Sequence, residues 1–289
     1  MNKRKVSFFS EGTPIAGELY LPAGKQEKLP AVVLCHGFSG TKELLLPAYA
    51  EGLAESGYAV LAFDYRGFGE SEGERGRLVP DEQMTDIRNA VTYMQTLGEV
   101  DPERIGFWGT SFGGANAIRV AAIDKRIRAI TVQLTFASGR RMVTGNMDTE
   151  AVRKLEETLK KVRERAVTQN KVLRLNAGQI LTDEESKAFF EKVTQQNPQL
   201  NVKIPFITLQ HILEHNPEDC IAEVGCPVLI IAAENDGVCP PSESQMLFER
   251  AREPKKMLLL EGCRHYDAYA GEPFRKGIAE IRQWFSACM

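Results

Sequence analysis

Two stretches of the chain set a serine between spaced glycines: Gly69-Glu70-Ser71-Glu72-Gly73 and Gly109-Thr110-Ser111-Phe112-Gly113. The G-x-S-x-G spacing suits a serine nucleophile because its glycines permit a sharp strand-to-helix turn that exposes the hydroxyl. With 24 glycines and few serines, chance supplies about 0.08 matches, so the pattern informs only in its strand–turn–helix context. The second copy has that context. It follows Ile105-Gly106-Phe107-Trp108 and leads into Gly114-Ala115-Asn116-Ala117-Ile118, small residues that open a helix and pack closely on a sheet. Ser111 would then sit at a helix N-terminus, where the dipole and free N–H groups favour developing negative charge. The first copy lacks it: Glu70, Glu72 and Glu74 would oppose an oxyanion, and Arg75-Gly76-Arg77 breaks any following helix. Ser71 is therefore expected in a loop.

A serine hydroxyl needs a base to take its proton. The chain has four histidines. His36 precedes Gly37-Phe38-Ser39-Gly40 at a strand end and suits a backbone-shaping role better than a base. His211 and His215 fall in a helical region, where an exposed or capping role is expected. His265, in the loop Gly262-Cys263-Arg264-His265-Tyr266 after the last strand, is the candidate base. The base needs a carboxylate to fix its tautomer. Asp236 ends the apolar run Val228-Leu229-Ile230-Ile231-Ala232-Ala233-Glu234-Asn235, with Gly237 turning the chain, and is the candidate acid. Glu234 shares its face by period-two reasoning and is the alternative. The order Ser111, Asp236, His265 is Ser, then Asp or Glu, then His.

The elements that must position these residues follow from the alternation of short apolar runs with helix-period segments, the mark of a mostly parallel α/β sheet wrapped by helices. Strands are expected at Ala31 to Cys35, Tyr58 to Phe63, Ile105 to Trp108, Ala129 to Leu134, Val228 to Ala232 and Met257 to Leu260, after an edge hairpin from Val6 to Leu21. Helices are expected near Lys42 to Ser56, Asp81 to Leu97, Gly113 to Ala122, Glu243 to Arg252 and Pro273 to Phe285. Residues 138–216 depart from this rhythm and read as helical throughout. Ala151, Leu155, Leu159 and Val162 recur at helical spacing, and Thr182-Asp183-Glu184-Glu185 reads as a capping box opening a second helix. So long an insert is too much for a connection. The expected organisation is a core of residues 1–137 and 217–289 carrying a helical cap, 138–216. Met142, Met147, Phe206, Leu209 and Ile212 could line an acyl pocket, but each is more readily the insert's own core, and Arg140 and Arg141 read as a solvated pair.

Composition narrows the function classes. Of 289 residues, 43% are hydrophobic and 26% charged, and 36 basic against 39 acidic side chains leave a net charge of −3. Neither nucleic acid nor an anionic membrane finds electrostatic support. No apolar run approaches the roughly 18 residues of a membrane span, and the N-terminal residues are too polar for a signal-peptide core. Cys35, Cys220, Cys226, Cys239, Cys263 and Cys288 sit singly, as free thiols of a cytoplasmic protein would.

Taken in order, His36-Gly37-Phe38, Asp64-Tyr65-Arg66-Gly67-Phe68-Gly69-Glu70-Ser71, the turn at Ser111, and the Asp236 and His265 loops resemble an α/β-hydrolase over the whole chain except the insert. In detail the chain resembles bacterial serine esterases of the dienelactone-hydrolase and X-Pro-dipeptidyl-peptidase-like groups. The resemblance implies an oxyanion hole made by the backbone N–H groups of Phe38 and Phe112. Three features depart from relatives of that fold: His-Gly-Phe-Ser-Gly is not the His-Gly-Gly-Gly of many lipases, serine stands where dehalogenases carry aspartate, and Ser111 replaces the thiol of true dienelactone hydrolases. The expected function is cleavage of a carboxylic ester of a small-molecule acyl substrate through an acyl-enzyme, without cofactor or metal. Thioester, amide or peptide, and carbon–carbon bond hydrolysis stay open on the same residues, as does a non-catalytic binding protein of this fold, and a homo-oligomer is compatible with all of them.

Overall fold

The computed structural model describes residues 1–24 and 28–289. Strands β1 (Asn2–Ser10) and β2 (Thr13–Leu21) form the edge hairpin, turning through Glu11 and Gly12 at φ of 48° and 81°. After β3 (Leu29–Cys35) the chain alternates through α1 (Pro47–Glu55), β4 (Ala59–Phe63), α2 (Pro80–Thr96), β5 (Val100–Thr110), α3 (Phe112–Ile123) and β6 (Ile127–Gln133). A run of elements outside the main sheet follows: α4 (Gly139–Thr144), α5 (Thr149–Gln169), β7 (Arg174–Asn176), α6 (Ala177–Ile180), α7 (Glu184–Gln196), β8 (Lys203–Pro205) and α8 (Thr208–Leu213). The chain then returns to β9 (Val228–Ala233), α9 (Pro241–Arg250), β10 (Lys255–Leu260) and α10 (Gly271–Cys288).

The main sheet has eight strands in the order β1-β2-β4-β3-β5-β6-β9-β10, antiparallel only at β1·β2 and β2·β4. Successive strand residues face opposite sides. Val33, Leu61, Phe107 and Ile130 pack with α2, α3 and α9, while Val32, Val60, Trp108 and Ile231 pack with α1 and α10. Both faces are covered, which is why these strands read as continuous apolar runs without alternation. Each fully buried aliphatic or aromatic side chain contributes about 1.5–3 kcal/mol, and the stack of Tyr49 on Trp108, centroids 4.2 Å apart, anchors α1 to the middle of the sheet.

Three expectations need correction. The helix expected from Lys42 starts only at Pro47, because Lys42 is engaged elsewhere and Leu45 adopts a positive φ of 67°. Pro47, lacking an N–H, then takes the first helical position at no cost in hydrogen bonding. Residues 138–216 are not helical throughout: β7 and β8 pair antiparallel, Leu175 opposite Ile204. Three residues per strand are too few to show a period of two, so nothing in the pattern announces them. Finally, α7 is capped by Asp183, whose side chain accepts from Ser186 N at 2.7 Å. This shifts the cap one residue past Thr182 and frees Glu185 from its own helix.

Candidate active site

At the carboxyl edge of the sheet, β5 turns into α3 at Ser111, which is held at φ 52° and ψ −124°. An L-residue in that region is strained, and such strain persists only where the surroundings enforce it. Here the Ser111 amide donates to Gln133 O at 2.8 Å and the Thr135 hydroxyl donates to Ser111 O at 2.7 Å. The glycines are required by close approach: a Cβ on Gly113 would lie 2.1 Å from Cys35 O, and one on Gly109 2.6 Å from Gly113 O. The small residues after Ser111 thus let α3 press against the ends of β3 and β5.

Asp236 and His265 come from the loops after β9 and β10. His265 Nδ1 lies 2.7 Å from Asp236 Oδ2, both side chains almost fully buried. A carboxylate only accepts, so Nδ1 carries a proton, and in the neutral form of the ring the lone pair is on Nε2. Asp236 Oδ1 accepts from Val238 N at 2.8 Å and Cys239 N at 2.7 Å, which fixes the carboxylate's plane. Glu234 points elsewhere and accepts from Gly262 N at 2.7 Å. The Phe112 N–H is the first amide of α3, and the Phe38 N–H lies in the loop after β3; among the described residues neither donates to another group. The two rings meet edge to face, centroids 6.1 Å apart.

Ser111, His265, Phe38 and His36 line one cavity of about 40 Å³, closed by Leu181, Phe189 and Phe190 of the 138–216 segment. A second cavity of about 400 Å³ shares Leu181 and Val238 as walls. Met142, Met147 and Leu209 line this larger space; Ile212 is fully buried, and Phe206 is half-buried against the core.

Two of the other three histidines are explained by packing. His36 Nδ1–H donates to Gly37 O at 3.1 Å and its ring meets Tyr65 edge-on at 4.4 Å; burial pushes its pKa down, so it stays neutral. His215 is not exposed: it is buried, stacked on Phe112, and its pKa falls to about 3, first through burial and then through Arg119. The Arg119 guanidinium only donates, so His215 Nδ1 accepts at 2.9 Å and the ring carries its proton on Nε2, which finds no partner among the described residues. His211 is partly exposed on α8. Arg141, read as solvated, bridges Glu218 and Glu243 at 2.8 and 2.7 Å, whereas Arg140 meets the exposed Glu156.

A buried cluster behind the cavity escapes sequence reasoning. Asp64, at the end of β4, accepts from Lys42 N at 2.7 Å, Lys42 Nζ at 2.9 Å and Glu70 N at 2.8 Å. Lys42 is wholly buried and also meets Glu70 and Glu43 at 2.8 Å. This pins the loop that carries Phe38 to the loop after β4. The Asp64 motif was visible; that a lysine would be its buried partner was not, since lysines are buried only when paired.

Comparison with known proteins bears on the family and the fold. A family model described as serine aminopeptidase, S33 matches residues 26–267. An Escherichia coli "uncharacterized 31.7 kDa protein in traX-finO intergenic region" is 42% identical over 278 residues, 96% of each chain. The thiohydrolase aneE of Aspergillus aculeatus is 29% identical over 298 residues, covering 97% of this chain and 92% of its own. The α/β-hydrolase GrgF from Penicillium superposes at a TM-score of 0.84 with 24% identity, over 100% of this chain and 99% of that one, a likeness that shows the fold.

Proposed function

This chain belongs to the serine aminopeptidase S33 family of α/β-hydrolases, and we propose from that premise that it hydrolyses a carboxylic ester by a serine mechanism. Ser111 Oγ attacks the ester carbonyl while His265 Nε2 takes its proton and Asp236 stabilises the imidazolium. The oxyanion forms against the Phe38 and Phe112 amides. Collapse breaks the bond to the alkoxy oxygen, which leaves as alcohol with the proton from His265. Water, deprotonated by the same nitrogen, then hydrolyses the acyl-enzyme. The observation that carries this reading is the 2.7 Å Asp236–His265 bond, with His265 and Ser111 lining one cavity beside two amides that donate to nothing among the described residues.

None of the described residues lining that cavity is acidic. An aminopeptidase would need a carboxylate there for the substrate's ammonium, so the cavity favours a neutral acyl group. Thioester hydrolysis is the second reading, favoured by the 29% identity to a thiohydrolase across nearly the whole chain. A panel of matched esters, thioesters and aminoacyl amides tests both. Turnover of the ester with an acyl adduct trapped on the enzyme supports the first; turnover of thioesters alone selects the second; amide cleavage alone overturns both.

Residues 138–216 act in this reading as a substrate cap, since Leu181, Phe189 and Phe190 close the cavity over Ser111. Replacing the segment by a short Gly/Ser linker should change the kcat/KM ratio of a bulky to a small ester. An unchanged ratio in a folded variant would make the segment a partner surface.

A further inference from the structure

The first turn of α7 contains a carboxylate with an unexpected task. A glutamate at the end of a capping box folds back on its own helix; Asp183 performs the capping here, and Glu185 reaches out to the two loops of the candidate site. Its Oε1 accepts from Gly237 N at 3.0 Å, the residue after Asp236, and its Oε2 accepts from His265 N at 3.2 Å. One carboxylate therefore bridges the backbone of the two loops that carry Asp236 and His265. A Cβ on Gly237 would stand 2.8 Å from Glu185 Oε1, so the absence of a side chain there admits the contact. The same turn is seated by two further contacts: Ser186 Oγ lies 3.2 Å from the Tyr266 hydroxyl, and Phe189 stacks on the Tyr266 ring at 4.0 Å and 9°. Bonds from amides to a carboxylate are roughly twice as strong as neutral ones.

We propose that Glu185 is a positioning residue, a carboxylate carried by the 138–216 segment that holds the Asp236 and His265 loops in register for proton transfer. The inference rests on the serine-hydrolase reading above. It makes the chemical step, and not only substrate binding, depend on the seating of α7. A displacement of a reacting group by about 1 Å can cost about 100-fold in rate, so loosening this clamp is expected to show in kcat.

The test compares wild type, Glu185→Ala and Glu185→Gln in ester hydrolysis and in the second-order rate of inactivation by a small fluorophosphonate. Glu185→Ala should lower kcat and the inactivation rate together, by on the order of 10- to 100-fold, with KM within about twofold. Glu185→Gln, which keeps one acceptor oxygen, should recover part of the loss. An unchanged inactivation rate in Glu185→Ala, with losses confined to KM of bulky esters, would overturn the proposal and leave Glu185 a contact that merely seats the helix. If Glu185→Ala does not fold, Glu185→Gln decides alone: a lowered inactivation rate at unchanged Tm supports the clamp, and a wild-type rate overturns it. Wild-type protein that does not react with the fluorophosphonate at all would overturn the serine-hydrolase reading and the clamp with it, an outcome distinct from either variant result.

Discussion

The chain holds the same five-residue pattern twice, and the two serines have opposite surroundings. Ser71 is buried in the loop after β4, its hydroxyl donating to Asp64 O at 2.6 Å and accepting from Ala16 N at 2.9 Å. Both of its useful directions are occupied, and the pKa of Glu70 beside it is held down at about 2 by Lys42 and Lys5, which pair with its carboxylate. Ser111 sits at a strained strand–helix junction facing a cavity, with amides at Phe112 and Phe38 that donate to nothing among the described residues. The difference teaches that the glycines serve different ends. At Gly109 and Gly113 they admit a helix against a strand, whereas Gly69 is forced by Asp64, whose Oδ2 would stand 2.1 Å from an added Cβ. One pattern builds a strained turn that faces a cavity and the other a buried, hydrogen-bonded loop.

Substitutions can break or sharpen that contrast. The largest effect is expected from Ser111→Ala, which should lower kcat by on the order of 10⁴ or more, measured on any ester the wild type cleaves. Asp236→Asn should cost about 10⁴, because an amide donor facing Nδ1 enforces the other imidazole tautomer. Glu234→Gln should stay within about tenfold of wild type, since among the described residues the Glu234 side chain bonds only Gly262 N. If Glu234→Gln proves the more damaging change, the acid has been misassigned.

Ser71→Ala should leave kcat within about twofold and appear instead in urea unfolding, as a loss of about 1–3 kcal/mol from a buried amide and carbonyl left unpaired. A smaller, pH-dependent effect comes from the ring stacked on Phe112. His215 has its pKa depressed from 6.5 to about 3, so the unfolded chain binds a proton there that the folded chain refuses. The stability this contributes is fully present above about pH 6.5 and is lost as pH falls toward 3; between pH 7 and pH 5 the loss is about 2 kcal/mol. His36, also depressed by burial, adds with the same sign. His215→Phe should flatten the fall in urea midpoint between pH 7 and 5, and an equally steep fall would contradict a neutral buried ring.

The sheet was legible because its strands are buried on both faces: apolar runs such as Val228–Ala233 admit no other reading in alternation with helices. The placement of Ser111, Asp236 and His265 at one edge of the sheet was legible because each stands after a strand end at a turn. What stayed hidden depends on partners distant in sequence. Lys42 looks like any helix-opening lysine until Asp64 is found 22 residues away. His215 looks like a surface histidine until Phe112 and Arg119 enclose it. Glu185 looks like a capping residue because the neighbouring Asp183 satisfies the same rule one position later.

The most direct measurement is the site of covalent modification after incubation with a fluorophosphonate, read by intact-protein and peptide mass spectrometry on wild type, Ser111→Ala and Ser71→Ala. The account predicts one adduct per chain, on the peptide containing Ser111, absent from Ser111→Ala and retained in Ser71→Ala. An adduct on Ser71, or one that survives in Ser111→Ala, would contradict it.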